Sequence, residues 1–452
     1  MQSKEILGHP RGLFVLFFTE MWERFSFYGM RALLVLYMTQ HLFQQIEQGH
    51  EVLGFSVLKS ILEAMMGPLS HLALSSQIYG LYTGLVYFTP FFGGIIADKY
   101  FGYKKSIYIG GALMAIGHLL MAIESMFLPA LFFLIIGNGF FKPNISSQVG
   151  HLYEAKDPRR DRAFTIFYMG INLGAFFSPL VCGTLGQKMG WHYGFGAAGI
   201  GMLIGLAVYH FGQKNLPVHE SQRELKKSQP DISHEPLSKS DYQKIAALIF
   251  LCTVNILFWS VYEQQGNTLQ IWADKNTNWN LWGFDIPSTW MQSFNPLFIF
   301  ILAPVLDRFW NWQSRRKTEP SSVIKMSIAC VFAALAYAAM IFILSMMVGA
   351  EKMSFIWLTV VIGLFTIGEL YLSPIGLSLV TKLAPARMGA MLMGMWFFSS
   401  FFGNSLSGYI GGFNENLGDL AFFKLLVAIS VAAAVIFLIG SKPVNKIIQE
   451  NK

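Results

Sequence analysis

Apolar runs separated by short polar stretches recur twelve times along the chain, at 12–40, 73–97, 104–125, 127–148, 161–187, 191–212, 244–270, 287–307, 322–348, 355–381, 387–411 and 419–440. Each is about as long as the roughly 20 residues that an α-helix needs to cross hydrocarbon. The pattern predicts an all-α polytopic membrane protein with twelve transmembrane helices. The first run breaks the rule that the others obey, because TEMWERFSFYGMR at 19–31 sets Glu20, Glu23, Arg24 and Arg31 between GLFVLFF and ALLVLYMT.

Composition agrees with the pattern: 54% of the 452 residues are hydrophobic and 13% are charged. MQSKEILGHPRG leads into a charged apolar segment without a small-residue cleavage site, so the first segment is expected to stay as a helix rather than be removed. Cys182, Cys252 and Cys330 fall in apolar runs and are odd in number. Buried, inert thiols are expected, with neither a disulfide framework nor a metal site.

The formal charge of +7 has to be read loop by loop. About 25 of the 33 Lys and Arg fall on the side of the amino terminus, whereas Lys59, Lys188, Lys275, Lys352 and Lys424 fall on the other. Both termini are therefore expected in the cytoplasm, with the chain integral to the cell (inner or plasma) membrane. The basic excess then reports topology, not nucleic acid.

Residues 214–244, KNLPVHESQRELKKSQPDISHEPLSKSDYQK, are polar and carry Pro217, Pro230 and Pro236. They read as a cytoplasmic linker, 214–243, joining a six-helix bundle at 1–213 to another at 244–452. Each half has a charged corner after its second span, GGIIADKYFGYKKS at 93–106 and APVLDRFWNWQSRR at 303–316, a weak internal repeat. Two such halves are the layout of the major facilitator fold, which holds its central site near the membrane midplane. The corner Asp98, Gly102, Lys104 and Lys105 resembles that superfamily's loop between helices two and three, although basic residues there also satisfy the positive-inside preference.

Seven ionisable residues fall well inside predicted spans: Glu20, Glu23, Arg24, Arg31, Lys142, Glu263 and Glu369. Leaving them all in lipid would cost on the order of 20 kcal/mol, so they must face a cavity or one another. At 100° per residue Glu20, Arg24, Phe27 and Arg31 lie within about 60° of one another, with Glu23 about 60° to the other side of Glu20. The first half supplies three cations and two carboxylates, the second only Glu263 and Glu369. A positive wall and a negative wall suit a small zwitterion, whose two ends would complete charge pairs on both. The competing reading makes these residues structural ion pairs that fix helix packing.

No GxxxxGK[ST] loop, HExxH, GxSxG or CxxC occurs, and HESQR and HEPLS lack the second His of a zinc motif. No enzyme chemistry and no cofactor are expected. Energy must then come from a gradient, and Glu20 and Glu23 beside Arg24, with Lys142 in possible reach, are groups whose charge a conformational change could tip. Protons are the expected coupling ion.

These residues belong to motifs that can be named. The chain resembles the proton-coupled oligopeptide transporter family of the major facilitator superfamily over nearly its whole length. The resemblance rests on Glu20, Glu23, Arg24, Phe25, Tyr28 and Gly29 (ExxERFxxYG), on IYGLY with GGIIADKYFG, on FKPN around Lys142 and on FYMGINLG at 167–174. FWSVYEQQ at 258–265, SFNPLFIFILAP at 293–304 and IGELYLSPIG at 367–376 continue it in the second half. It implies uptake of di- and tripeptides with protons by alternating access, by a monomeric protein in the lipid bilayer. It also implies roles: Glu20, Glu23, Arg24 and Lys142 in proton coupling; Arg31 and Lys142 on the peptide carboxylate; Glu369, with Asn172 and Asn295, on the peptide amine. Arg31 and Glu263 would close an outer gate, and Tyr28, Tyr82 and Trp396 would line the side-chain pocket. Binding a peptide by its invariant ends while aromatic faces meet its variable side chains gives breadth of substrate.

Three departures qualify the resemblance. Phe27 stands where the family pattern often has a tyrosine, the linker is too short and polar for the two extra helices of many bacterial members, and 41–72 is a long outer connection with helical patches. Within the same fold, transport of another anion or zwitterion, such as nitrate or a modified amino acid, is the alternative. A non-transporting peptide sensor is a further one.

Overall fold

The computed structural model describes residues 5–154, 157, 159–216, 238–347, 352–384 and 388–449. A long helix occupies every predicted span: α1 (Arg11–Tyr37), α4 (His71–Ile96), α5 (Gly102–Leu120), α6 (Phe127–His151), α7 (Arg160–Ser178), α9 (Trp191–Gly212), α10 (Lys239–Tyr262), α12 (Met291–Arg315), α13 (Ser322–Met346), α14 (Phe355–Leu383), α15 (Gly389–Gly411) and α16 (Asn414–Gln449). Shorter helices sit among them: α2 (Phe43–Glu47), α3 (Phe55–Met66), α8 (Thr184–Met189) and α11 (Thr268–Asn276). Strands among the described residues are two residues long: β1 (Glu5–Ile6) and β2 (His9–Pro10) form a hairpin, and Thr277–Asn278 pairs in parallel with the distant Met353–Ser354.

Nine helical stretches among the described residues are long and apolar enough to cross a membrane by length and composition, one of them holding both α4 and α5. Neither α1 nor α15 is among them, and the sequence explains both. Charges interrupt α1, and Gly, Ser and Asn dilute α15. Side-chain oxygens terminate several helices: Ser238 and Asp241 cap each other at the start of α10, Ser321 accepts from Ile324 N at α13 and Ser354 from Ile356 N at α14. Pro90, Pro143 and Pro374 lie inside α4, α6 and α14, each removing one ladder hydrogen bond.

Two compact units emerge. The first comprises 1–71, 85–230 and 287–296, with α1 packed along α7 and α9 and α5 along α6 and α9. The second comprises 72–84, 231–286 and 297–452, with α13 packed on α14 and α16 and α10 on α15 and α16. The beginning of α4 thus belongs to the second unit and the first turns of α12 to the first. Most of the predicted linker, 217–237, lies outside the described residues. Cys182, Cys252 and Cys330 are buried and free.

Candidate functional site

The charged turn of α1 is buried because its neighbours lack side chains. A Cβ on Gly174 of α7 would stand 2.2 Å from Met21 O, and one on Gly201 of α9 would stand 2.6 Å from Phe25 Cδ1. Glycine at both places lets α7 and α9 close directly on α1. Glu20, Glu23 and Arg24 are consequently 1%, 0% and 3% exposed, far from the water that would otherwise solvate them.

Arg24 holds this turn together. Its Nε donates to Glu23 Oε2 and its Nη2 to Glu23 Oε1 at 2.7 Å, a two-pronged pair between sequence neighbours. The same Nε lies 3.2 Å from Glu20 Oε1, one turn earlier. Nη2 also donates to Asn138 Oδ1 on α6 at 3.2 Å, and Asn138 Nδ2 in turn donates to Val86 O on α4 at 2.8 Å. The Phe27 ring lies 5.2 Å from the guanidinium carbon. Glu20 Oε2 is buried and has no hydrogen-bond partner among the described residues.

One turn beyond Asn138 on α6, Lys142 is half-buried and within electrostatic reach of Glu20, Glu23 and Arg24. Its Nζ lies 4.7 Å from the centroid of the Tyr87 ring, a cation–π contact. The predicted grouping of Glu20, Glu23, Arg24 and Lys142 is therefore present in the first unit. Two acids face two bases, so the fully ionised cluster has no net charge, and a proton gained by an acid or lost by a base unbalances it. Arg31, two turns further along α1, has its guanidinium 6.0 Å from the Tyr28 ring. Asn172 on α7 is 5% exposed, and its Nδ2 donates to Tyr168 O at 3.0 Å. Asn295 lies on the first turns of α12, half-buried.

In the second unit the acids have different company. Tyr262 OH donates to Glu369 Oε2 at 2.5 Å, joining α10 to the half-buried carboxylate of α14. Tyr262 is itself fixed by stacking on Phe258 at 5.5 Å and by the edge of Phe365 at 6.0 Å. Glu263 is 3% exposed and opens the 3-10 turn Glu263–Gly266 that ends α10. Of the aromatics predicted to line a pocket, Tyr28 is half-buried, whereas Tyr82 and Trp396 are only 2% and 5% exposed. Trp396 packs so closely on α14 that a Cβ on Gly376 would meet its ring at 2.2 Å.

Sequence reading missed Asn138, Tyr87 and Tyr262, the partners of Arg24, Lys142 and Glu369. A signal existed for Asn138, an amide four residues before Lys142 in an apolar span, where it must find a partner. For the tyrosines none did, since aromatics in spans also serve packing. Lys325, at the start of the span expected at 322–348, is only 7% exposed at the start of α13. Its Nζ lies 2.6 Å from Glu319 Oε1 and 4.4 Å from the Trp310 ring centroid. The hydrogen bond from Lys325 holds the Glu319 carboxyl below the usual carboxylate range.

Comparison with known proteins bears on the whole chain. The family model described as the POT family matches residues 104–232 and 221–418. A protein named peptide transporter YePEPT of Yersinia enterocolitica is 33% identical over 97% of this chain and 95% of its own length. A di-/tripeptide transporter of Lactococcus lactis subsp. cremoris is 31% identical, covering 98% of each. A crystal structure of the peptide transporter POT in complex with sulfate superposes with a TM-score of 0.83 at 32% identity, over 98% of this chain and 97% of that one. Taken with the ExxERFxxYG helix and the buried charge cluster it carries, these matches show that the chain belongs to the POT family of membrane transporters.

Proposed function

We propose that the protein is a proton-coupled symporter that imports di- and tripeptides by alternating access. The observation that carries this reading is the buried, charge-balanced cluster of Glu20, Glu23, Arg24 and Lys142, found in a chain whose relatives are named as peptide transporters. Such a cluster links proton uptake to anion binding through charge balance. A peptide carboxylate arriving at Lys142 or Arg31 gives the cation a new partner, which weakens the hold of the cluster on a second negative charge. One acid then accepts a proton at little cost. The unpartnered Glu20 Oε2 is the oxygen at which a proton relieves a buried polar atom without breaking an existing bond. Linkage is reciprocal, so a protonated cluster also favours the carboxylate on Lys142.

The remaining roles follow the same electrostatic logic. Glu369 receives the peptide ammonium, aided by Asn172 and Asn295, and Tyr262 orients its carboxylate. Arg31 and Glu263 act as a gate, and Tyr28, Tyr82 and Trp396 shape the side-chain pocket. The two closely packed residues of that set, Tyr82 and Trp396, contribute only in a conformation that uncovers them. In this reading the protein is a monomer with both termini cytoplasmic, works through six-helix bundles at 1–213 and 244–452 joined by 214–243, needs no cofactor besides the proton, and carries out no covalent chemistry on its substrate.

The test is uptake of labelled dipeptide into liposomes that contain the purified protein, with the outside made acidic. Accumulation above the external concentration, abolished by a protonophore and competed by alanylalanine, is expected. Uptake indifferent to the proton gradient, or no uptake of any peptide in a panel, refutes the proposal.

A further inference from the structure

The connection from α1 to α4 has no part in the transport reading, yet it contains an orderly pattern. Read at 100° per residue, the twelve residues of α3 divide into three sectors. Phe55, Leu58, Leu62 and Met66 form the first and turn toward their own unit; Phe55 meets the Phe43 ring at 5.7 Å, and Leu62 is 8% exposed. Ser56, Lys59, Ser60 and Glu63 form a polar sector, with Lys59 and Glu63 paired at 3.9 Å. Val57, Ile61, Ala64 and Met65 form the third sector, which is apolar and open: Val57 is 62% exposed, Ile61 53% and Met65 75%. Leu53, one turn earlier, extends this stripe and is 62% exposed.

A helix lying against a protein surface in water needs only two sectors, one apolar and one polar. The third calls for a third environment. Its identity follows from continuity with the spanning helices. Leu53 N donates to Ser125 O at 3.0 Å, which ties the stripe to the turn joining α5 and α6. Beside that turn the outward surface of the α5–α6 pair is apolar, with Leu119, Ile123 and Phe132 48%, 51% and 61% exposed. An apolar surface thus runs from two membrane-spanning helices onto α3 at the level where one span gives way to the next.

We propose that α3 is an in-plane amphipathic helix that seats Leu53, Val57, Ile61 and Met65 in the headgroup–acyl boundary of the bilayer, in the leaflet opposite the amino terminus of α1. Its first sector grips the protein, its stripe enters lipid and its polar sector faces water. The bilayer is the occupant that the geometry fits, because the stripe continues a surface already made for acyl chains.

Nitroxide labels on single introduced cysteines test this directly, since Cys182, Cys252 and Cys330 are buried and leave exposed sites to be labelled selectively. Val57→Cys, Ile61→Cys and Met65→Cys are compared with Ser56→Cys and Ser60→Cys in liposomes, each checked for retained dipeptide uptake. The ratio of oxygen to water-soluble nickel-chelate accessibility is expected to be several-fold higher at the three apolar positions than at the two serines. Equal, water-like accessibility at all five overturns the proposal. Spin–spin broadening at Ile61→Cys that fades on dilution with unlabelled protein also overturns it, by showing a second copy on the stripe.

Discussion

The acids of the first unit and Glu369 of the second are both intramembrane carboxylates, but they are held by different chemistry. Glu20 and Glu23 share one guanidinium, which a neighbouring amide fixes in turn. Glu369 accepts a hydrogen bond from the phenol of Tyr262, a neutral donor that aromatic stacking keeps in place. Removing one member of the first arrangement leaves a buried charge without its counter-charge. Removing the hydroxyl from the second costs a hydrogen bond and leaves the ring packing intact. The difference teaches that intramembrane charges can carry unequal burdens of stability: the turn proposed to handle the proton is held by ion pairs that also hold the fold, and the carboxylate proposed to receive the amine is bonded to a neutral hydroxyl.

The strongest test of that contrast is Arg24→Ala, which strands two buried carboxylates. Loss of proton-driven dipeptide accumulation is expected, together with destabilisation of about 3–5 kcal/mol, read in thermal melts by a thiol-reactive dye that reports exposure of the buried cysteines. Glu369→Gln should abolish accumulation equally well while leaving the melt within about 1 kcal/mol of the parent. A large loss of stability in this second variant would erase the distinction. Lys142→Ala should resemble Glu369→Gln more than Arg24→Ala, because the lysine is half-buried and lies against a ring.

Two weaker substitutions sharpen the comparison. Asn138→Ala withdraws one acceptor from Arg24 and strands Val86 O, so a cost of about 1–3 kcal/mol is expected with uptake reduced rather than lost. Tyr262→Phe keeps the stack and removes only the hydroxyl, so the apparent affinity for dipeptide should fall by roughly tenfold, equivalent to about 1.4 kcal/mol, with an unchanged melt.

The smallest effect belongs to a pair outside the cluster. Glu319 has its carboxyl lowered by the hydrogen bond from Lys325, so its folded value lies below its unfolded one. The stabilisation is therefore complete above the ordinary carboxylate range and is lost as pH falls through the folded value. Glu319 is partly exposed, its side chain at 34%, so about 1 kcal/mol is the expected scale after solvent screening. Glu319→Gln should lower the melting temperature at neutral pH and leave it unchanged in strong acid. The same loss at both pH values would show that the contact is steric.

Much of this was legible in the residues themselves. Lipid cannot satisfy backbone polar groups or solvate charge, so runs of apolar residues had to become helices, and Glu20, Glu23 and Arg24 had to find partners. Helical spacing alone put Arg24 one turn from Glu20, where the ion pair forms. The family motifs carried the rest of the proposed roles. What the spacing could not give were contacts made across helices, because they depend on how closely two helices approach and in what register. Gly174 and Gly201 set that approach for α7 and α9 on α1, and Gly93 of α4 and Gly139 of α6 set it where Tyr87 faces Lys142. The same holds for Tyr262 on Glu369, 107 residues apart, and for the burial of Lys325 against Trp310 of the preceding helix. The sequence by itself determined which groups needed compensation in hydrocarbon. Only the packed chain decided which atoms supply it, since a hydrogen bond is fixed by ångström-scale placement that no one-dimensional spacing encodes.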